Sequence, residues 1–188
     1  MSTRLFTFNG GDTGPWRIAK TETVVGEPLP AAKRLDISSA PESPSRPYAV
    51  WVLRGITSNE RYGVREEEKS RIVSMQQSLG LPESTCAALI PIRKNAAWWA
   101  LSHNERQNIF EQQSRHAGIG LDHFPELPRR LHHCRDLSEN EPFDFITWFE
   151  YSPAQEAAFD QLLAALRATA EWKYVEREID IRLVREDD

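Results

Sequence analysis

Short apolar runs from residue 48 onward predict five strands. These runs are rich in β-branched and aromatic side chains, which pack well on a pleated surface. The predicted strands are residues 48–56, 85–92, 130–137, 143–151 and 172–184. The last of them alternates only loosely between apolar and polar positions, so its ends are the least sharply marked.

Three segments between these strands show the apolar spacing of helices. Residues 66–79 do so and are followed by a glycine, which is typical of a helix end. A second helix is expected over 102–118, because Ser102 and Glu105 form a capping-box pattern and a glycine can end it. A third is expected over 153–169, since a serine followed by proline is typical of a first helical turn.

The N-terminal part of the chain predicts a short β portion packed on a main domain. Residues 4–8 and 16–25 are each expected to form a strand. Residues 27–47 contain five prolines and four serines. Proline fixes φ and removes a hydrogen-bond donor, so this segment is expected to be a loop. We therefore divide the chain into an N-terminal portion, 1–47, and a main domain, 48–188.

The order of the predicted elements favours an α+β fold. When one extra helix is left out, the main domain runs strand, helix, strand, strand, helix, strand, which is the ferredoxin-like order. We expect an antiparallel sheet with helices on one face, together with the reduced N-terminal β portion. The N-terminal strands or a second subunit would then cover the open face of the sheet.

Composition and charge argue against several classes of protein. The 188-residue chain has a formal net charge of −5 and no basic run, which disfavours nucleic-acid binding. No stretch approaches the length of an apolar membrane span, so no membrane association is expected. The chain starts without an apolar signal segment, and Cys86 and Cys134 form no CxxC pattern. A cytoplasmic protein with two buried thiols is therefore expected.

The candidate chemical residues have ordinary structural explanations when each is taken alone. None of the five histidines is paired at zinc-ligand spacing, so a structural zinc site is not expected. His116 is expected near the end of the second helix, where a cation is favourable without any ligand. Two glycines follow it and would let the backbone approach a flat ligand. The others are common as surface, helix-end or core residues: Lys94, Trp98, Trp99, Arg129 and Glu171.

Five segments taken together resemble the chlorite dismutase family of haem proteins. They are RKNAAWW (93–99), QQSRHAGIG (112–120), PRRLHHCRDL (128–137), FDFITWFEY (143–151) and TAEWKYVERE (169–178). The resemblance covers about residues 48–185, and the short N-terminal part resembles the small, dimeric branch of the family. It implies a homodimeric haem b enzyme that converts chlorite to chloride and dioxygen by O–Cl bond cleavage and O–O bond formation.

The resemblance also implies roles for individual residues. His116 corresponds to the proximal ligand of the haem iron, Glu171 to the carboxylate that accepts the other imidazole N–H, and Lys94 to the lysine paired with that carboxylate. Arg129 corresponds to the catalytic distal arginine, and Gln76 to the glutamine that can hydrogen-bond it. The residues around the cofactor would be Leu131, Thr147, Phe149, Trp98 and Trp99.

Other functions stay open at this point. A coproporphyrin-haem decarboxylase of the same superfamily would share the fold and the proximal histidine. That branch, however, carries glutamine in place of Arg129 and a reactive tyrosine where Ile90 aligns. A haem-binding protein without turnover would use His116, Gly118 and Gly120 equally, although it has no need of a charged distal group. A ferredoxin-like dimer without cofactor is the remaining alternative.

Overall fold

Eight strands close into an antiparallel barrel in the computed structural model, which describes residues 5–39, 48–57, 79–123 and 127–186. The strands are β1 (Leu5–Gly11), β2 (Trp16–Val25), β3 (Arg34–Ser38), β4 (Trp51–Ile56), β5 (Cys86–Lys94), β6 (Arg129–His133), β7 (Phe145–Tyr151) and β8 (Val175–Arg185). Their order around the barrel is β1, β3, β2, β8, β5, β7, β6, β4, and β4 pairs with β1 to close it.

Short helical segments fill the connections on one side of the barrel. Within the described ranges they are α1 (Ala96–Ala100), α2 (His103–Asn108), a π-helical turn (Ile109–Gln113), α3 (His116–His123), a 3₁₀ turn (Pro153–Gln155), α4 (Glu156–Arg167) and a second 3₁₀ turn (Glu171–Tyr174). Helices α3 and α4 pack against each other. Among the described residues, no helix combines the length and the apolar character needed to span a bilayer.

The closed barrel shows that the expected ferredoxin-like sheet with helices on one face is wrong. The five strands predicted after residue 48 are confirmed, and they lie side by side with β8 at one end and β4 at the other. The N-terminal strands pair with both ends: Thr21 of β2 lies opposite Ile181, and Phe8 of β1 lies opposite Leu53. An unpaired strand edge exposes backbone hydrogen-bond donors and acceptors. The N-terminal strands pair with both outer strands of this set of five and so satisfy these groups, instead of covering a face of the sheet.

The expected loop over 27–47 is also partly wrong. Its central part forms β3, which lies between β1 and β2. Leu35 of β3 is fully buried in the barrel, and the prolines of the segment fall outside this strand. The predicted strands over 4–8 and 16–25 are confirmed as β1 and β2. The predicted helix over 66–79 lies outside the described residues, apart from its last position.

The helix predicted to run from Ser102 to Gly118 is interrupted. The capping box between Ser102 and Glu105 is present and begins α2, which confirms the predicted start. The chain then passes through the π-helical turn, and Arg115 adopts a left-handed φ of 47° before α3 begins. His116 therefore begins a helix rather than ending one, and Gly118 lies inside α3.

Two cores lie on opposite faces of the same strands. The barrel interior holds large side chains from all around the barrel, including Phe8, Trp16, Leu35, Leu53, Trp148 and Ile181. The second core lies between the outer face of β5 and β7 and helix α4, and it includes Ala88, Ile90, Phe149, Phe159 and Leu162. Since side chains alternate along a strand, Trp148 faces inward and Phe149 faces the helices. The helices thus cover one sector of the outer surface, which we call the helical sector.

Candidate active site

A hydrogen-bonded chain joins a lysine, a glutamate and a histidine at the start of α3. His116 Nδ1 lies 2.9 Å from Glu171 Oε2, and Lys94 Nζ lies 2.8 Å from Glu171 Oε1. The Lys94 and Glu171 side chains are 3% and 8% exposed, whereas that of His116 is 30% exposed. Because an ionised carboxylate can only accept hydrogen bonds, Nδ1 carries the proton, which leaves Nε2 as the nitrogen that can bind a metal ion.

Backbone hydrogen bonds hold Lys94 and Glu171 in place, and His116 is placed by the start of a helix. Lys94 ends β5, and its backbone N–H donates to Asp144 Oδ2 over 2.7 Å. Glu171 begins a 3₁₀ turn, and its backbone N–H donates to Ser114 Oγ over 3.0 Å. His116 is the first residue of α3. Three parts of the chain that are far apart in sequence therefore fix one cluster of side chains.

Charge pairing sets the protonation of the buried pair. Burial acts to raise the pKa of Glu171, but the hydrogen bond from His116 and the charge of Lys94 outweigh it and hold the pKa at about 2. Burial lowers the pKa of Lys94, and the Glu171 carboxylate opposes that change. We conclude that both groups are charged at neutral pH, so His116 has a permanent acceptor for its Nδ1 proton.

Aromatic rings surround this cluster. The Phe110 ring stacks on the His116 imidazole, with centroids 4.5 Å apart and planes inclined by 21°. The Lys94 ammonium lies 4.5 Å from the centroid of Trp98 and 5.5 Å from that of Trp172. The rings restrict rotation of the imidazole, and the two indoles stabilise the buried ammonium by cation–π attraction.

A second group of predicted residues lies on the outer face of β6 and β7. The register sets Arg129 opposite Phe149 and Leu131 opposite Thr147. Ile90 of β5 lies opposite Thr147 on the other side. Because alternate residues of a strand point the same way, these five side chains share one face, and that face belongs to the helical sector.

Gly120 allows Arg129 to lie against the helix that begins with His116. A Cβ atom added at Gly120 would come within 3.3 Å of Arg129 Nη1, so the absence of a side chain leaves the space that the guanidinium occupies. The structure therefore places the arginine of β6 and the histidine of α3 on the same side of the barrel. Gln76, the predicted partner of Arg129, lies outside the described residues.

Trp99 lies at the other end of this face and carries an unsatisfied donor. Its ring stacks on Phe145, with centroids 6.2 Å apart, and the Arg135 guanidinium lies 4.1 Å from its centroid. Trp99 Nε1 is buried and has no hydrogen-bond partner in the described part of the chain. A buried indole N–H normally has an acceptor, so this atom is suited to an acceptor on a bound molecule.

Several contacting residues were not predicted from the sequence. They are Phe110, Ser114, Asp144 and Trp172. Trp172 directly follows Glu171, and that adjacency is a signal that could have found it. The other three reach the site only through tertiary structure, and their residue types are equally common in ordinary cores and turns.

The fold and the site define a class: a closed β-barrel protein whose helical sector presents one imidazole nitrogen, fixed by a buried carboxylate. A dimeric chlorite dismutase from Nitrobacter winogradskyi is 49% identical to this chain. The alignment covers 96% of this chain and 99% of that one, with a TM-score of 0.84. The chain therefore belongs to the chlorite dismutase family.

Two more distant comparisons give a partial sequence match and a shared fold. A chlorite dismutase from Ideonella dechloratans is 33% identical over 88 residues, which are 47% of this chain and only 28% of that protein. A chlorite dismutase from Candidatus Nitrospira defluvii, solved with imidazole, shares the fold at 18% identity. It aligns over 97% of this chain and 91% of its own, with a TM-score of 0.64. No family profile matches the chain.

Proposed function

We propose that this chain is a haem b enzyme that converts chlorite to chloride and dioxygen, through O–Cl bond cleavage and O–O bond formation. Membership of the chlorite dismutase family supports the reaction. The observation that carries the proposal is the hydrogen bond between His116 Nδ1 and the buried Glu171 carboxylate, which directs Nε2 to a metal ion. The placement of Arg129 in the same helical sector supports an anionic substrate.

The described residues fit a haem. A haem iron takes an axial nitrogen donor, which His116 Nε2 supplies. The flat macrocycle needs apolar walls, and the shared outer face offers Ile90, Leu131 and Phe149. Its peripheral carboxylates need donors, and the unpartnered Trp99 indole N–H beside Arg135 offers one. The cofactor, when bound, supplies the redox chemistry that breaks and forms the oxygen bonds.

The buried pair behind His116 sets the donor strength of the imidazole. Glu171 accepts a hydrogen bond from the Nδ1–H group and stays ionised because Lys94 compensates its charge. The imidazole is thereby kept in one tautomer and one orientation, and the negative partner makes Nε2 a stronger donor. Lys94 is itself held by Asp144 and by two indole rings, so the whole assembly is rigid before any ligand arrives.

Arg129 holds the anion in this proposal. Its guanidinium stays charged and carries several N–H donors in one plane, which suits the oxygens of chlorite. Leu131 and Phe149 are apolar neighbours on the same face, and apolar surroundings strengthen such an attraction. The same cation would also hold an anion released by O–Cl cleavage close to the site.

We further propose that the chain works as a homodimer. The relative that is 49% identical is a dimeric enzyme, and its length matches that of this chain. Light scattering of the purified protein should give about twice the chain mass of 21.6 kDa. A mass equal to one chain at micromolar concentration would contradict the proposed assembly.

An oxygen electrode tests the reaction. Haem-loaded protein mixed with chlorite should release dioxygen far faster than free haemin does. Arg129→Ala should keep the haem and lower turnover roughly 100-fold, as the loss of a charged donor in a dry site typically does. Arg17→Ala is the matched control, because Arg17 forms an exposed ion pair with Glu186. Dioxygen release no faster than with free haemin would refute the reaction, and normal turnover of Arg129→Ala would refute the role of Arg129.

A further inference from the structure

Glu178 of β8 is a buried carboxylate that the proposed function does not use. It is 0% exposed. Its Oε1 accepts a hydrogen bond from Arg167 Nε over 2.8 Å, and its Oε2 accepts one from the Trp172 indole N–H over 2.7 Å. Each oxygen thus has a different partner. A carboxylate removed from water this completely needs such partners, so both contacts matter to where the side chain lies.

Trp172 connects this carboxylate to the cluster at His116. The indole lies close to parallel with the imidazole, with planes inclined by 24° and centroids 6.4 Å apart. The Lys94 ammonium lies 5.5 Å from the centroid of the same ring. Trp172 also follows Glu171 directly, so a shift of the indole would act on the turn that carries the carboxylate.

Glu178 also acts on Lys94 through space. Burial lowers the pKa of Lys94, and the negative charges of Glu171, Asp144 and Glu178 oppose that change. Glu178 therefore stabilises the charged form of the lysine that neutralises Glu171, in addition to holding the ring on which that lysine rests. Two physical effects, one hydrogen bond and one charge, converge on the same cluster.

We propose that Glu178 is a positioning residue for His116, which acts through its hydrogen bond to the Trp172 indole. The inference rests on the proposed haem-binding role of His116. If the indole lost this hydrogen bond it could rotate, and the imidazole and the Lys94 ammonium would lose the ring that lies beside them. A less firmly held imidazole is a weaker donor and releases a haem iron faster.

Three variants separate this role from a purely structural one. Trp172→Phe keeps an aromatic ring and removes the N–H that donates a hydrogen bond to Glu178. Glu178→Gln removes the charge and one of the two acceptor oxygens. Asp180→Asn is the matched control, because Asp180 is likewise buried and accepts from Arg167 over 3.0 Å, but its other partner is Arg182.

Two measurements report on the histidine rather than on stability. They are the rate of haemin transfer to apomyoglobin and the iron–histidine stretching band in resonance Raman spectra of the reduced protein. Trp172→Phe and Glu178→Gln should each release haemin about 3- to 10-fold faster, less than loss of a direct partner of a metal ligand. Both should lower the frequency of the band, and the double variant should add little. Asp180→Asn should lower Tm and change neither measurement.

The outcomes distinguish this inference from the proposed function. Trp172→Phe leaves the Glu178–Arg167 pair intact, so it decides the matter even if Glu178→Gln does not fold. Unchanged haemin release and an unchanged band in Trp172→Phe would overturn the inference, as would an equal effect of Asp180→Asn. A parent protein that gives no Soret band with haemin would overturn the proposed function and this inference together.

Discussion

Replacing Lys94 by methionine tests how much the buried ion pair contributes to stability. The Lys94 ammonium is 2.8 Å from Glu171, whose side chain is 8% exposed. Methionine keeps much of the side-chain volume, so the change is mainly the loss of a charge. Glu171 would then be a buried carboxylate whose remaining side-chain partner is His116.

The pKa of Glu171 sets the magnitude. It is about 2 in the folded chain, against an ordinary value of 4.5. At about 1.4 kcal/mol for each pKa unit, the charged carboxylate contributes about 3 kcal/mol to folding. A lowered pKa means that this stability is present above pH 4.5 and is lost as the pH falls towards 2. Lys94→Met removes the ammonium and leaves the hydrogen bond from His116, so we expect it to cost part of this amount, about 2 kcal/mol at pH 7.

Urea unfolding of the protein without haem, followed by circular dichroism, measures this loss. The matched control is Lys33→Met, because Lys33 is 84% exposed and lies 3.4 Å from Asp12. It should change the free energy of unfolding by less than about 0.5 kcal/mol. The double variant Lys94→Met/Glu171→Gln removes both charges and should be more stable than Lys94→Met alone.

Two results would refute the reasoning. One is an equal free energy of unfolding for Lys94→Met and Lys33→Met, which would mean that the buried pair contributes no more than an exposed one. The other is a double variant whose loss of unfolding free energy equals the sum of the losses of Lys94→Met and Glu171→Gln. Such additivity would show that the two charges do not stabilise each other. Acid unfolding adds a third check: without Lys94, the pKa of Glu171 in the folded chain should rise towards its ordinary value, so the variant should lose less stability than the parent between pH 4.5 and pH 2.

Three further substitutions test other contacts. His116→Ala should lose most haemin binding in a Soret titration, because the iron loses its nitrogen donor, and added imidazole should restore part of it. Haemin binding equal to that of the parent would contradict the assignment. His132 should contribute up to about 4 kcal/mol of destabilisation in urea unfolding as the pH falls from 6.5 to 3, because burial holds its pKa at about 3 and only the unfolded chain takes up the proton. His132→Gln should lose the part of the slope between pH 6.5 and 4.5, where Glu171 contributes little, and an equal slope there in both proteins would rule the histidine out. Gly120→Ala should lower chlorite turnover at full haem loading, because the added Cβ would lie 3.3 Å from Arg129 Nη1. Unchanged turnover would show that Arg129 does not need this space.

Local patterns predicted most elements of this fold but not the closure of the barrel. Strand β2 is exposed along most of its length, so its sequence carries no alternation that would indicate a partner. Its pairing with β8 joins the two ends of the chain, and no local pattern encodes such a contact. The interruption of the predicted helix before α3 could not be predicted for a different reason. Arg115 adopts a left-handed φ that is uncommon outside glycine, so an arginine at this position does not indicate a break in the helix.

The candidate site could be predicted by resemblance and not by spacing. Glu171 lies 55 residues from His116 and 77 from Lys94, so the three have no common local pattern. They meet only after β5, α3 and the second 3₁₀ turn have assembled. Phe110 escaped prediction because an aromatic residue near a histidine looks the same in sequence as one in a core, whereas the adjacency of Trp172 to Glu171 was an available signal.

The pairing of β2 with β8 has a consequence for how the chain is made. Strand β2 leaves the ribosome long before its partner β8, with which it pairs from Trp16 opposite Arg185 to Val25 opposite Glu178. Until β8 emerges, the nascent chain holds an unpaired β2 edge, which is a template for pairing with other chains. Contacts between the chain ends also slow folding. Closure of the barrel therefore waits for β8, and protection of the open β2 edge by chaperones matters until β8 has been made.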